Sequence, residues 1–210
     1  MDALVQIHAV SLGNETVSSF VEKALQIYDV VDFIHIRERH WTVKQYVDAI
    51  DRLRVHDQQL IKLVINDRVD IASMYHIQHV HLPSHGHDVT DVKRHLPHVQ
   101  IGCSVHDVTE AKRQAQVNYM FFGHVFQTNS KQGLQPRGLA QLQQIVDIMS
   151  TPVIAIGGIT PENIDEVIDA GVAGVAIMSG IFAADDCQER ALRYRKKIND
   201  RKEDKDGSNN

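Results

Sequence analysis

The stretch "PVIAIGGITPENIDEVIDAGVAGVAIMSGIF", residues 152–182, decides the fold. Its first part, "PVIAIGG" (152–158), is a short β-branched apolar run that stops at paired glycines. "ENIDEVIDA" (162–170) then spaces its apolar residues at three and four, the mark of a helix with one buried face. A second apolar run, "GVAIMSG" (174–180), ends in Ser-Gly. Two short buried strands joined by a helix form a βαβ unit, and such a crossover makes the strands parallel.

The same apolar signature recurs upstream as "LVQIHAV" (4–10), "DFIHIRE" (32–38), "KLVIND" (62–67), "HVHLP" (79–83), "QIGCSV" (100–105) and "YMFFGHV" (119–125), eight runs in all. Segments of helical spacing such as "TVSSFVEKALQIY", "TVKQYVDAIDRLR" and "LAQLQQIVDIM" lie between them. Eight strand-helix repeats predict an α/β chain closed into a single-domain (β/α)8 TIM barrel over residues 1–200, with several short loops; strand counting leaves a doubly wound open sheet as the alternative. In "PENIDEV", Pro161 suits a first helical turn, and Glu162 and Asp165 sit near its positive end. The charged "RKEDKDGSNN" (201–210) has no apolar anchor and is expected to be a disordered tail.

Composition narrows the function classes. A net charge of -5 over 210 residues gives no electrostatic case for a nucleic-acid partner. No apolar run approaches the ~20 residues of a membrane span, and "MDALVQIHAV" lacks the pattern of a cleaved leader, so a cytoplasmic protein without a membrane partner is expected. Cys103 and Cys187 match no metal or redox spacing and are expected to be reduced thiols. Thirteen histidines include a dense run from His76 to His98, but no cysteine or second cluster completes a zinc set. Surface histidines and no metal are the expectation there.

In a closed barrel, polar residues at the strand C-termini converge on one rim, where such enzymes place their chemistry. That rule collects Arg37, Arg39, Asn66, Asp67, His81, Ser84, Ser104, His106, His124, Gly157, Gly158, Ser179 and Gly180. The glycines after strands seven and eight would let backbone N–H groups approach an oxyanion, which makes Gly157, Gly158, Ser179 and Gly180 the candidate phosphate-binding set. Arg37 and Arg39 lie two apart and share a strand face, the barrel interior if Ile34 and Ile36 face the helices; they need an anion. Glu38 points the other way, and His35 is expected to face away on that same side, without a role. In "FFGHVFQTNSKQG" (121–133), His124 ends strand six, where a lone histidine is as often a core residue as a reactive one. Lys131 follows in a polar loop able to fold over the rim, with a solvated lysine as the alternative.

Together, "DFIHIRER", "LVINDRVDIA", "HVHLPS", "IGCSVHDVTEA", "FFGHVFQTNSKQG", "PVIAIGGITPENI" and "GVAIMSGIF" make the chain resemble the thiamin phosphate synthase superfamily, most closely its TenI-type thiazole tautomerase branch. The likeness covers most of residues 4–198. In the synthase branch a Gln-x-Arg-x-Lys pattern after strand two holds a pyrophosphate; here those positions are His35, Arg37 and Arg39. An aspartate after strand four helps those enzymes bind Mg²⁺, where this chain has "PSHG". Their Gly-Pro at the end of strand six is Gly123-His124 here, and a histidine can carry a proton where proline cannot.

What the resemblance implies is aromatisation of a thiazole carboxylate phosphate tautomer by proton transfer in thiamin biosynthesis, with no cofactor. His124 is then the acid/base residue. Arg37 or Arg39 and Lys131 would pair with the carboxylate, and Asn66, His81, Ser104 and Thr128 complete the substrate pocket. The family also implies a homodimer. The alternatives are a thiamin phosphate synthase and a non-catalytic regulatory protein that binds a phosphate ligand.

Overall fold

The computed structural model describes residues 4–207, with side chains to Arg201. The strands are β1 (Gln6–Val10), β2 (Phe33–Ile36), β3 (Leu63–Asn66), β4 (His79–Leu82), β5 (Gln100–Val105), β6 (Tyr119–Gly123), β7 (Val153–Ile156) and β8 (Gly174–Ile177). All pair in parallel with their sequence neighbours, and β8 closes onto β1 through Gln6 opposite Gly174, so the sheet is a closed barrel and not an open one. Around it run α1 (Val17–Ile27), α2 (Val43–Arg54), α3 (Val69–Met74), α4 (Val89–His95), α5 (Val108–Arg113), α6 (Gly138–Ile148), α7 (Ile164–Asp169), α8 (Ser179–Phe182) and α9 (Cys187–Gly207). Among the described residues no helix is long and apolar enough to cross a membrane.

Local chemistry starts the helices. Thr16, Asp88 and Asp107 cap α1, α4 and α5 by accepting from backbone N–H groups of the first turn, and Thr42 with Gln45 forms a capping box on α2. α7 begins at Ile164, later than the proline suggests: Asn163 occupies the cap position, and Asp165 with Glu166 fills the first turn. Pro161 and Glu162 therefore belong to the loop before the helix.

Strand alternation divides the core in two. Ile34, Ile36, Ile65, Val80, Met120 and Phe122 face the helices and join the large core there. Val10, Phe121, Ile154 and Ala176 fill the inside of the barrel. Barrel interiors are usually packed with Val, Ile and Leu; this one carries rings, with His8 stacked on Phe33 at 4.7 Å and His81 against Phe121 at 4.2 Å. Gly102 makes the room, since a Cβ there would lie 2.0 Å from the Tyr119 ring.

α9 seals the barrel's outside. Tyr194 and Ile198 are buried, and Arg195 donates to the Val30 carbonyl and pairs with Asp32 at 2.6 Å. The helix continues through Gly207, which corrects the expectation of a disordered segment from residue 201. Arg201 pairs with Asp165 and Asp169 on α7, partners more than thirty positions away in the chain. Residues 208–210 lie outside the described residues.

Candidate active site

The C-terminal ends of the strands open into one cavity of about 730 Å³, and every rim residue expected from the sequence lines it. That volume suits a small ligand held by several loops. On one side stand the loops after β7 and β8. Gly157 and Gly158 adopt φ of +102° and +68°, and a Cβ would lie 2.3 Å from His124 Cβ in the first case and 2.5 Å from the Gln127 carbonyl in the second. Only glycine permits this approach. Asn163 clamps the loop by donating to the Gly158 carbonyl at 2.9 Å and accepting from Thr160 N–H at 2.8 Å. Ser179 and Gly180 open α8 beside it.

The opposite wall is cationic. Arg37, Arg39, Arg68 and Lys131 line it, whereas Asp67 is its one carboxylate. Arg68 is engaged with Asp70 and lies over the Tyr46 ring at 5.3 Å. Among the described residues Arg37, Arg39 and Lys131 have no ion-pair partner. Burial, then the neighbouring Arg39, lowers the pKa of Arg37; burial, then Arg137 and Arg37, lowers that of Lys131. Such a cluster of partly buried cations favours an anionic ligand. Glu38 does not neutralise it: its buried carboxylate accepts from the N–H groups of Gly13 and Glu15 instead. Thr128 accepts from Ser130 N–H and starts a 3₁₀ turn, Asn129–Lys131, so the loop carrying Lys131 has local structure of its own.

Between the walls lies His124, only 5% exposed. The Gly123–His124 peptide is cis. The His124 Nε2 stands 3.3 Å from the Leu134 carbonyl, which can only accept, so Nε2–H is the donor in this contact and, among the described residues, Nδ1 faces no protein partner. His81 Nε2 and Ser104 Oγ are 2.9 Å apart, and His106 Nδ1–H donates to the Gly123 carbonyl at 3.1 Å.

The chain is similar to known proteins in both sequence and fold. The family model described as thiamine monophosphate synthase (TMP-TENI) matches residues 4–181. The chain belongs to the thiamine monophosphate synthase family. Relatives include the thiamine-phosphate synthase of Chlorobium phaeobacteroides, 36% identical over 179 residues, covering 81% of this chain and 85% of that one. That of Persephonella marina is 33% identical over 155 residues, with 72% and 74% covered. Among solved structures, thiamine phosphate pyrophosphorylase from Pyrococcus furiosus superposes with a TM-score of 0.81 at 26% identity, covering 93% of this chain and 96% of that one. The 3-hexulose-6-phosphate synthase of Salmonella typhimurium, 14% identical with a TM-score of 0.72 and coverage of 93% and 99%, shares the fold alone.

Within this thiamine monophosphate synthase family member, three sequence expectations need correction. His35 does not face away with Glu38. Alternation puts it on the face opposite Ile34 and Ile36, and it is fully buried inside the barrel against Phe121. Arg37 and Arg39 are not strand residues, because β2 ends at Ile36; they line the cavity from the following loop. His81 likewise departs from the expectation of surface histidines, being 2% exposed. Tyr46, Arg68, Gln127 and Thr160 also line the cavity without having been singled out. Arg68 follows directly on "IND" and was legible from that position, whereas Tyr46 comes from the middle of α2 and carries no sequence signal.

The donor set fits an anion better than a hard cation. Asp67 is the single wall carboxylate, and among the described residues no three His, Cys, Asp or Glu side chains are placed to hold a metal ion. A Mg²⁺ of the kind the synthase branch uses prefers several oxygen ligands, which this wall does not offer.

Proposed function

We propose that the protein is a thiazole tautomerase, which aromatises a thiazole carboxylate phosphate by moving one proton. The observation that carries this reading is His124, held by the Leu134 carbonyl with Nδ1 free, between a glycine-lined wall and a cationic one. The phosphate would lie against Gly157, Gly158, Ser179 and Gly180, and the carboxylate against Arg37, Arg39 and Lys131. His124 Nδ1 removes the proton from the ring carbon bearing the carboxylate. The resulting anion is delocalised over the ring and its side chain, and the fixed cations disperse the developing charge. The imidazolium then returns the same proton to the exocyclic alkylidene carbon, so atoms and electrons balance and no redox group takes part. Asn66, His81, Ser104 and Thr128 complete the pocket.

His124→Asn keeps a polar side chain of similar reach but cannot accept and return the proton. Aromatisation followed by ultraviolet absorbance is expected to fall at least about a hundredfold, with calorimetric affinity for the aromatic product unchanged. Turnover equal to that of the natural protein would eliminate His124 as the proton carrier.

A second reading is supported by the names of the relatives: a thiamin phosphate synthase that joins a pyrimidine pyrophosphate to a thiazole phosphate. The lone Asp67 and the histidine at position 124 weigh against it. Incubating the protein with both substrates and Mg²⁺ decides the order, because thiamin phosphate formed faster than the tautomer is aromatised would put the synthase first.

A further inference from the structure

The proton transfer proposed above leaves two imidazoles unexplained. His8 and His35 are 1% and 0% exposed, in the barrel interior where apolar side chains would pack without any polar demand. They are not isolated. His8 Nδ1 lies 3.0 Å from His35 Nε2, and His35 Nδ1 lies 3.0 Å from Asn66 Oδ1. At the lower end His8 Nε2 is 3.4 Å from Oε1 of the exposed Gln6 side chain. One chain of hydrogen bonds therefore runs along the barrel from its N-terminal end to a residue of the cavity wall.

Neutral imidazoles transmit direction, since each has one N–H and one lone pair. With Asn66 Oδ1 as acceptor, His35 carries its proton on Nδ1, its Nε2 accepts, and His8 must donate from Nδ1; His8 Nε2 is then a lone pair, and the exposed Gln6 amide turns its NH2 towards it in place of Oε1. The opposite sense reverses both tautomers and requires Asn66 to turn its NH2 down into the barrel and its oxygen towards the cavity. Burial holds both rings neutral: it pushes His35 down to about 3 and His8 well below its ordinary value.

The register pairs Ile36 with Ile65, so Arg37 and Asn66 leave neighbouring strands side by side on the cationic wall. An anion there is matched by an amide NH2 and repelled by an amide oxygen. We propose that His35, set by His8, is a positioning residue that holds Asn66 with its NH2 towards the anionic end of the ligand. This rests on the reading of the cavity as the site of a thiazole carboxylate phosphate.

Long-range ¹⁵N–¹H spectra of the histidine-labelled intact protein are expected to find the less common Nδ1–H tautomer at His35 and at His8. An Nε2–H form at His35 overturns the proposal without any variant having to fold. Calorimetry with the aromatic carboxylate phosphate product and with inorganic phosphate then tests the consequence. His35→Phe is expected to weaken the product about tenfold and leave inorganic phosphate unchanged; His35→Asn, which retains a donor at the δ position, restores the product to within about threefold. In an Asn66→Ala background His35→Phe is expected to cost nothing further, because it acts through that amide. Product binding undiminished in His35→Phe, or an equal loss with and without Asn66, sinks the inference and leaves the tautomerase standing. Normal product binding by the natural protein without turnover of the tautomer sinks the tautomerase and leaves the inference standing.

Discussion

At Gly157 the backbone sits at φ +102°, and the position of a Cβ would be 2.3 Å from His124 Cβ. The glycine thus does two things: it takes a conformation that costs an L side chain energy, and it vacates the volume the histidine occupies. Gly157→Ala is expected to destabilise the fold by about 1–3 kcal/mol in urea unfolding and to lower turnover further than that loss of folded protein accounts for, because His124 is displaced. Turnover per folded molecule equal to that of the natural protein would contradict the coupling. The glycine pair and the histidine were both legible in the sequence, one as a turn after an apolar run and the other as a polar residue at a strand end. Their contact was not, because position 124 and position 157 meet only through the β6–β7 pairing, Gly123 opposite Ile156. His35 shows the converse. Alternation from Ile34 and Ile36 was enough to turn it inward, but what it touches comes from β1 and β3.

Among the elements, α9 links the two loops expected to hold phosphate. The Tyr194 hydroxyl donates to the Ile159 carbonyl at 2.9 Å, one residue beyond Gly158, and a Cβ on Gly180 would lie 2.4 Å from the same hydroxyl oxygen. Tyr194 is fully buried, so its loss leaves a carbonyl without that donor. Tyr194→Phe is expected to cost about 1–3 kcal/mol of stability and to weaken inorganic phosphate measured by calorimetry, while the affinity contributed by Arg37 and Lys131 stays in place. Unchanged phosphate affinity would show that the loops hold their shape without the helix. Neither the hydroxyl's target nor the helical state of residues 201–207 could be read from a strongly charged C-terminal sequence. Tyr194 and Arg201 meet partners from the β7–β8 region, the Ile159 carbonyl and Asp165 with Asp169, that only the closed barrel brings alongside.

For the molecule as a whole, the rings inside the barrel tie stability to pH. Burial lowers the proton affinity of His8, His35 and His81 below the ordinary value of 6.5, so in mildly acid solution the unfolded chain binds protons that the folded chain does not. Stability is fully present above pH 6.5 and falls as the pH drops, by up to about 1.4 kcal/mol per unit for each histidine. Thermal melts from pH 6.5 to about 5, above the carboxylate range, are expected to show a falling midpoint and a shallower slope in His35→Phe. A midpoint independent of pH would mean the three rings are charged in the folded state. The sequence by itself determined the repeating βα pattern of eight strands and most of the residues at their C-terminal ends, because the period of apolar residues and the direction of parallel strands are local properties; that the sheet closes came from the β8–β1 pairing. Only the tertiary structure decided that His124 keeps Nδ1 free, that four cations, one of them paired with Asp70, share one wall with a single carboxylate, and that His8 and His35 end at Asn66. Those facts are distances between side chains and loops that local periodicity does not encode, and the folded barrel sets them.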